Sequence, residues 1–205
     1  AGGAFMYPIL IVLALGIAIA IERFMYITGT IRKTNRVWEQ LVPMLKANDH
    51  ARAIKMTQEL KTPLALMLNY GFSRLGSTKR REDIEAAMEE GMMEIVPRLE
   101  KRTHYIATLA SVITLVGLLG TIIGLIKGFT AVAQVNPAEK AELLSASISI
   151  AMNNTAFALA IAIPFLLIHS FLQARTSEIV DGLEAAKISF LNVTQRLKAE
   201  QSTAR

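Results

Sequence analysis

No cysteine occurs anywhere in the 205 residues, which excludes disulfide cross-links and thiolate-held metals. Tryptophan is nearly missing too. Trp38 stands alone, with no interleaving of basic and aromatic residues around it, so the net charge of +5 does not read as a nucleic-acid surface. The three histidines, His50, His104 and His169, are scattered without ligand spacing and are expected at surfaces or interfaces. A Gly-x4-Gly-Lys-Ser/Thr loop is absent, which excludes nucleotide hydrolysis of that type. Gly117-Leu-Leu-Gly120 follows no strand pattern and is not a dinucleotide fingerprint, and Asn153-Asn154-Thr155 matches a glycosylation acceptor only by chance. No catalytic constellation, cofactor or metal site is expected, and the chain does not read as an enzyme.

Charged side chains are missing from three long stretches. Residues 1–21 and 103–126 contain no Asp, Glu, Lys or Arg, nor do residues 143–174. Helices crossing a hydrocarbon layer of ~30 Å need about 20 apolar residues, and each stretch is long enough. Helix is the expected spanning form, because lipid offers the backbone no hydrogen-bond partners. The expected fold class is therefore all-α: an integral membrane protein of three transmembrane helices with long helical extensions. Residues 22–102 carry 15 of the 22 lysines and arginines, while the connection between the second and third runs carries two, Lys127 and Lys140. Positive charge stays in the cytoplasm, so the first loop and the tail are expected inside and the short connection outside. The expected divisions are 1–22, first span; 23–102, cytoplasmic helical loop; 103–128, second span; 129–142, short outer loop; 143–174, third span; 175–205, cytoplasmic helical tail. The first run lacks a basic leader and a small-residue cleavage site, and it reads as a retained anchor.

The loop and tail carry helical periodicity. Val37, Leu41 and Leu45 form a narrow apolar stripe, closed by Asn48-Asp49. Pro63 opens a second helix, which ends near Gly76, before Ser77-Thr78. Ile84, Met88, Met92, Ile95 and Leu99 then recur at helical steps that run into the second span without a turn signal. One helix from Glu82 to Gly128 would be roughly 70 Å long at ~1.5 Å per residue, with a kink or restart expected at Pro97. In the tail, Ile179, Leu183, Ala186, Phe190, Val193 and Leu197 make a heptad seam. It requires a surface to bury against, either the loop of the same chain or an identical neighbour. Glu22-Arg23 and the charged run 79–90 are expected as solvated faces.

Within the second span, Ala107, Ala110, Thr114, Gly117, Thr121, Gly124 and Gly128 form one stripe of small or hydroxylated residues, with Gly120, Gly124 and Gly128 spaced as small-xxx-small. The third span has matching rows: Ala151, Thr155, Ala158, Ala162, and Ser147, Ala151, Asn154, Ala158. Such rows let helices approach closely in lipid, and packing alone accounts for them. Threonines on facing rows with Asn153 and Asn154 nearby also make a polar strip, which is costly in lipid unless it faces protein or water. A proton relay needs a titratable group. This chain has none in the middle of a span, so it either moves nothing or supplies a polar wall for a partner's carboxylate.

Leu109-Ala110-Ser111, then Gly117-Leu118-Leu119-Gly120-Thr121-Ile122-Ile123-Gly124, then Asn154-Thr155-Ala156 and Ala162-Ile163-Pro164 resemble the MotA/TolQ/ExbB proton-channel family. Three spans with a large inner loop resemble its ExbB/TolQ branch rather than four-helix MotA. The resemblance implies a pentameric homo-oligomer in the bacterial inner membrane, with the N-terminus periplasmic and the C-terminus cytoplasmic. It implies a ring around the membrane helices of a two-copy ExbD/TolR-like partner, each copy's single helix carrying an aspartate, with a TonB/TolA-like protein as a further candidate. Proton flow would then energise periplasmic or outer-membrane work such as transport. Thr121 and Thr155 match the family's pore threonines. Asn154, Thr114 and Ser111 complete the implied proton pathway, and Gly117, Gly120, Gly124 and Gly128 the helix packing. The glutamate that ExbB and TolQ place five residues before the third-helix threonine is Ile150 here, and a proline of the second helix is Thr114. That points to a diverged branch, a second TonB-type system or a motility motor. A MotA-like stator and a passive oligomeric scaffold stand as alternatives.

Overall fold

The computed structural model describes residues 5–77 and 80–203, with side chains as far as Arg196. The start of the first apolar run, Thr78, Lys79 and the side chain of Leu197 lie outside the described residues. The described elements are all helices: α1 (Met6–Lys46), α2 (His50–Glu59), α3 (Pro63–Leu75), α4 (Arg81–Glu100), α5 (Thr103–Val132) and α6 (Lys140–Thr203). Three helical stretches, within α1, α4–α5 and α6, are long and apolar enough to cross a membrane.

Local chemistry sets the breaks. After α1, Asn48 takes a left-handed φ of 56°, and the Asp49 carboxylate accepts the Arg52 N–H at 3.1 Å to open α2. Thr62 caps α3 by accepting the Ala65 N–H at 3.3 Å, with Pro63 at the first turn. Glu82 and Asp83 in the first turn of α4 complement its positive dipole end.

The expected continuous helix from Glu82 to Gly128 is broken, and not at Pro97. Helix α4 carries Pro97 inside it and ends at Glu100; the break falls at Lys101-Arg102, where Arg102 has φ 69°. Proline removes one backbone donor, and Pro97 is exposed, so the carbonyl it orphans lies on an open face. A left-handed non-glycine residue costs about 1–2 kcal/mol, and side-chain contacts hold this one. Arg102 pairs with Glu22 at 3.5 Å, and the Arg23 Nε–H donates to the Thr103 hydroxyl at 3.2 Å. The expectation that Glu22-Arg23 forms a solvated face is thereby corrected for Arg23, which is only 3% exposed. A buried guanidinium is stable only when its donors are used, and here one of them meets a buried hydroxyl.

The chain divides into two compact units, one of Ala1–Arg23 with Arg102–Leu172, the other of Phe24–Lys101 with Gln173–Arg205. In the second unit the expected stripes turn inward: Val37, Leu41, Leu45, then Ile84, Met88, Met92, Ile95, Leu99, then Ile179, Leu183, Ala186 and Phe190 are buried, while Val193 of the tail seam is half-buried. Helices α3, α4 and α6 meet at Gly71. A Cβ there would sit 3.0 Å from Met88 and 3.2 Å from the Phe190 ring. Phe190 also stacks edge-on against Phe72, with centroids 5.0 Å apart. The tail seam is therefore buried, at Phe190, by the loop of its own chain. Polar links trim the edges: Lys187 to Glu89 at 3.3 Å, Arg81 to Gln195 at 2.8 Å, and the Tyr70 hydroxyl donating to Glu94 at 2.8 Å. The Glu94 carboxylate holds the Tyr70 phenol above its ordinary pKa by hydrogen bond and by charge.

In the first unit, α5 and α6 run antiparallel with small residues face to face. Gly117 meets Ala158, Gly124 meets Ala151 and Gly128 meets Ser147. Each step along α5 is matched by an equal step backwards along α6. Gly16 of α1 lies against the Phe165 ring, and Gly120 faces both Phe5 and Asn154.

Three outcomes follow for the full chain in detergent, read by thermal unfolding. Phe190→Ala, which empties the junction of three helices, is expected to cost about 3–5 kcal/mol. Gly117→Val must collide with Ala158 and lower the melting point sharply. Gly29→Ala meets nothing within 4 Å and is expected to stabilise by about 0.5–1 kcal/mol.

Candidate functional site

The small-residue rows of α5 and α6 bring two hydroxyls together. Thr121 lies one turn after Gly117 on α5, and Thr155 lies one turn after Ala151 on α6. Because glycine lets the two backbones approach, each threonine reaches the neighbouring helix as well as its own. The Thr121 hydroxyl donates to its own-turn carbonyl at Gly117, 3.1 Å away, and lies 3.4 Å from the Ala151 carbonyl across the interface. The Thr155 hydroxyl donates across to that same Gly117 carbonyl at 3.0 Å. The two hydroxyl oxygens are also in direct contact with each other.

Two hydroxyl protons therefore face more acceptors than they can satisfy at once. A hydroxyl has one donor and two acceptor lone pairs, and its hydrogen rotates to suit. Thr121 and Thr155 can both point their hydrogens at the Gly117 carbonyl, or one can turn to the other's oxygen and leave a lone pair or a hydrogen for a third group. Both side chains are half-buried. This is a neutral, switchable donor-acceptor pair.

The other expected residues do not join that pair directly. Asn154 is 3% exposed, with its Nδ2 towards Gly120; its Oδ1 is buried with no hydrogen-bond partner among the described residues. Thr114, half-buried, and Ser111, exposed, donate to their own-turn carbonyls at Ala110 and Ala107, 3.0 and 3.1 Å away. Ile150 is exposed on α6. Gly117, Gly124 and Gly128 are all at the α5–α6 contact, and Gly120 faces Phe5, just before α1, as well. The acceptors that complete the site, the Gly117 and Ala151 carbonyls, escape a reading of side chains. Their presence depends on the register between the helices, which a single sequence signals only through the matched spacing of its small residues.

Among the described residues, no group of three or more His, Asp or Glu side chains is placed to hold a metal ion. The chemistry available at the threonine pair is hydrogen bonding to something else's charge.

Residues 59–185 match the MotA/TolQ/ExbB proton channel family. The chain is 27% identical to an ExbB-like protein of Synechocystis sp. named for biopolymer transport, over 82% of this chain and 79% of that one. It is 23% identical to an ExbB homologue of Methanothermobacter thermautotrophicus, also named for biopolymer transport, over 91% of this chain but only 65% of that longer one. With the apolar helices and the glycine-threonine core on which the resemblance rests, these similarities identify a multi-pass membrane protein that belongs to the MotA/TolQ/ExbB proton channel family, in its ExbB-like branch.

Proposed function

We propose that the chain is the ring subunit of an ion-driven motor in a bacterial inner membrane. Copies of it surround the membrane helix of an ExbD/TolR-like partner, and proton flow between them energises periplasmic or outer-membrane work such as transport. The observation that carries this reading is the meeting of the Thr121 and Thr155 hydroxyls between two uncharged stretches, 103–126 and 143–174. The charge carrier then arrives on the partner, as an aspartate. The threonine pair accepts a hydrogen bond from the protonated acid or donates one to the carboxylate, which keeps the acid solvated in a low-dielectric setting. Ser111 and Thr114 extend the polar face towards the cytoplasm, and Asn154 adds a polar contact on the inner side of the same turn. The glycines hold α5 and α6 close enough to keep the conduit narrow.

In this reading residues 1–22, 103–128 and 143–174 cross the membrane, the segments 23–102 and 175–205 are cytoplasmic, and 129–142 is the periplasmic turn. The excess of lysine and arginine in 22–102 supports that orientation. A pentamer is the expected ring.

Hydrogen bonds between membrane helices contribute about 0.6 kcal/mol on average, so removing one hydroxyl while keeping the volume should spare assembly. Thr121→Val and Thr155→Val are each expected to leave the oligomer intact. Each should lower partner-dependent proton flux in proteoliposomes at least about tenfold, a change of ~1.4 kcal/mol in barrier height. Full flux in the double variant would refute the assigned pathway. Flux through the homo-oligomer without any partner would refute the claim that the carrier is supplied from outside. A passive scaffold predicts no flux with or without the partner.

A further inference from the structure

Helix α6 carries an open polar row apart from the threonine pair. Glu142, Ser145, Ser149 and Asn153 follow at steps of three, four and four, which keeps them on one face of a helix. All four are exposed, on the flank turned away from α5; the flank towards α5 carries Ser147, Ala151 and Ala158. The row changes character halfway along the span. Beyond Asn153 the same face continues as Ala156, Ala160 and Leu167, all exposed and all apolar.

A polar side chain within a span is costly unless it meets protein or water. The hydroxyls packed at the α5–α6 contact satisfy themselves on their own helix. Ser147 donates to the Leu143 carbonyl at 2.9 Å, and Thr121 to that of Gly117 at 3.1 Å. Ser145, Ser149 and Asn153 make no side-chain hydrogen bond among the described residues. Their hydroxyls and amide are open. The exposed face of α1 is of the opposite kind, built of Leu10, Ile11, Leu15 and Ile17. That is a surface suited to lipid, and the α6 row is a surface suited to water. From Glu142 to Asn153 the row is roughly 16 Å long at ~1.5 Å per residue, about half of a hydrocarbon layer of ~30 Å. It ends two residues before Thr155, at the level of the threonine pair.

We infer that this row is the outer half of the ion path. A file of water along Glu142, Ser145, Ser149 and Asn153 carries hydronium from the outer surface to the level of Thr121 and Thr155. This inference rests on the ring and the orientation proposed above, and it adds an entry side to the inner side marked by Thr114 and Ser111. The protons balance. Hydronium gives its proton to the partner's carboxylate, leaving water and a carboxylic acid, and the acid later returns the proton to water on the inner side. The serine hydroxyls and the asparagine amide hold the water by donating and accepting hydrogen bonds. The change to Ala156 and Ala160 ends the file, so this flank admits water without letting it cross.

The chain has no cysteine, and a thiol reacts as its thiolate, a form that lipid does not support. Ser145→Cys, Ser149→Cys and Asn153→Cys are made singly in the full chain, expressed with its partner, and treated in spheroplasts with a membrane-impermeant cationic methanethiosulfonate. All three are expected to be labelled, read as a mass shift, while Ala160→Cys and Leu15→Cys stay unlabelled. Labelling Ser149→Cys should then lower partner-dependent proton flux at least about tenfold. Asn153→Leu should lower it as far, and Asn153→Ser should keep it. Labelling that stops at Ser145→Cys, as a neighbouring helix packed dry on this flank predicts, overturns the path. So does full flux after Ser149→Cys has been labelled. Both results leave the motor reading standing, because flux through the unmodified complex is measured beside them. Absence of that flux overturns both.

Discussion

Backbone proximity between α5 and α6, created where Gly117, Gly124 and Gly128 face Ala158, Ala151 and Ser147, governs what the membrane unit can do. In lipid no hydrophobic force pushes two apolar helices together, so association depends on how closely the surfaces fit. Small side chains supply that fit, and they also expose carbonyl oxygens that bulkier neighbours would cover. The cross-interface reach of Thr155 to the Gly117 carbonyl exists only at that separation. Packing and polarity in this unit are thus one feature: the residues that make the helices close are the ones that make their interface wettable.

The second unit is organised by a different constraint. Its helices bury apolar stripes against one another, and their junction at Gly71, Met88 and Phe190 depends on one position having no side chain. Charged residues are kept at the rim, as in the Lys187–Glu89 pair. Rim pairs of this kind contribute little on their own, roughly 0–1 kcal/mol, so the apolar junction carries the stability of that unit.

Much of this architecture was legible from residue spacing. The helical steps of Ile84 to Leu99 and of Ile179 to Phe190 identify buried faces, and both are buried. The matched small-residue rows of α5 and α6 place Thr121 and Thr155 on facing surfaces, and their hydroxyls touch. Three features were not legible. The break at Lys101-Arg102 has no glycine, asparagine or proline to mark it; it is held by Glu22 and Thr103, each far from or invisible to a local pattern. Arg23 looks like an ordinary surface charge at the end of an apolar run, and its burial depends on a hydroxyl eighty positions away. Asn154 turns its amide nitrogen towards Gly120 and buries an oxygen with no hydrogen-bond partner among the described residues, an orientation that its place in either row does not reveal.

The threonine pair has a consequence for how any conduit lined by it responds to its surroundings. Hydroxyl hydrogens reorient without displacing heavy atoms, and such rotations take picoseconds to nanoseconds when the side chain has room. A lining made of them keeps the same net charge at every physiological acidity. It can follow a neighbour's change of state almost instantly while adding no titration of its own, so in the proposed assembly the acid sensitivity of this stretch would come from a partner's carboxylate and not from the threonines.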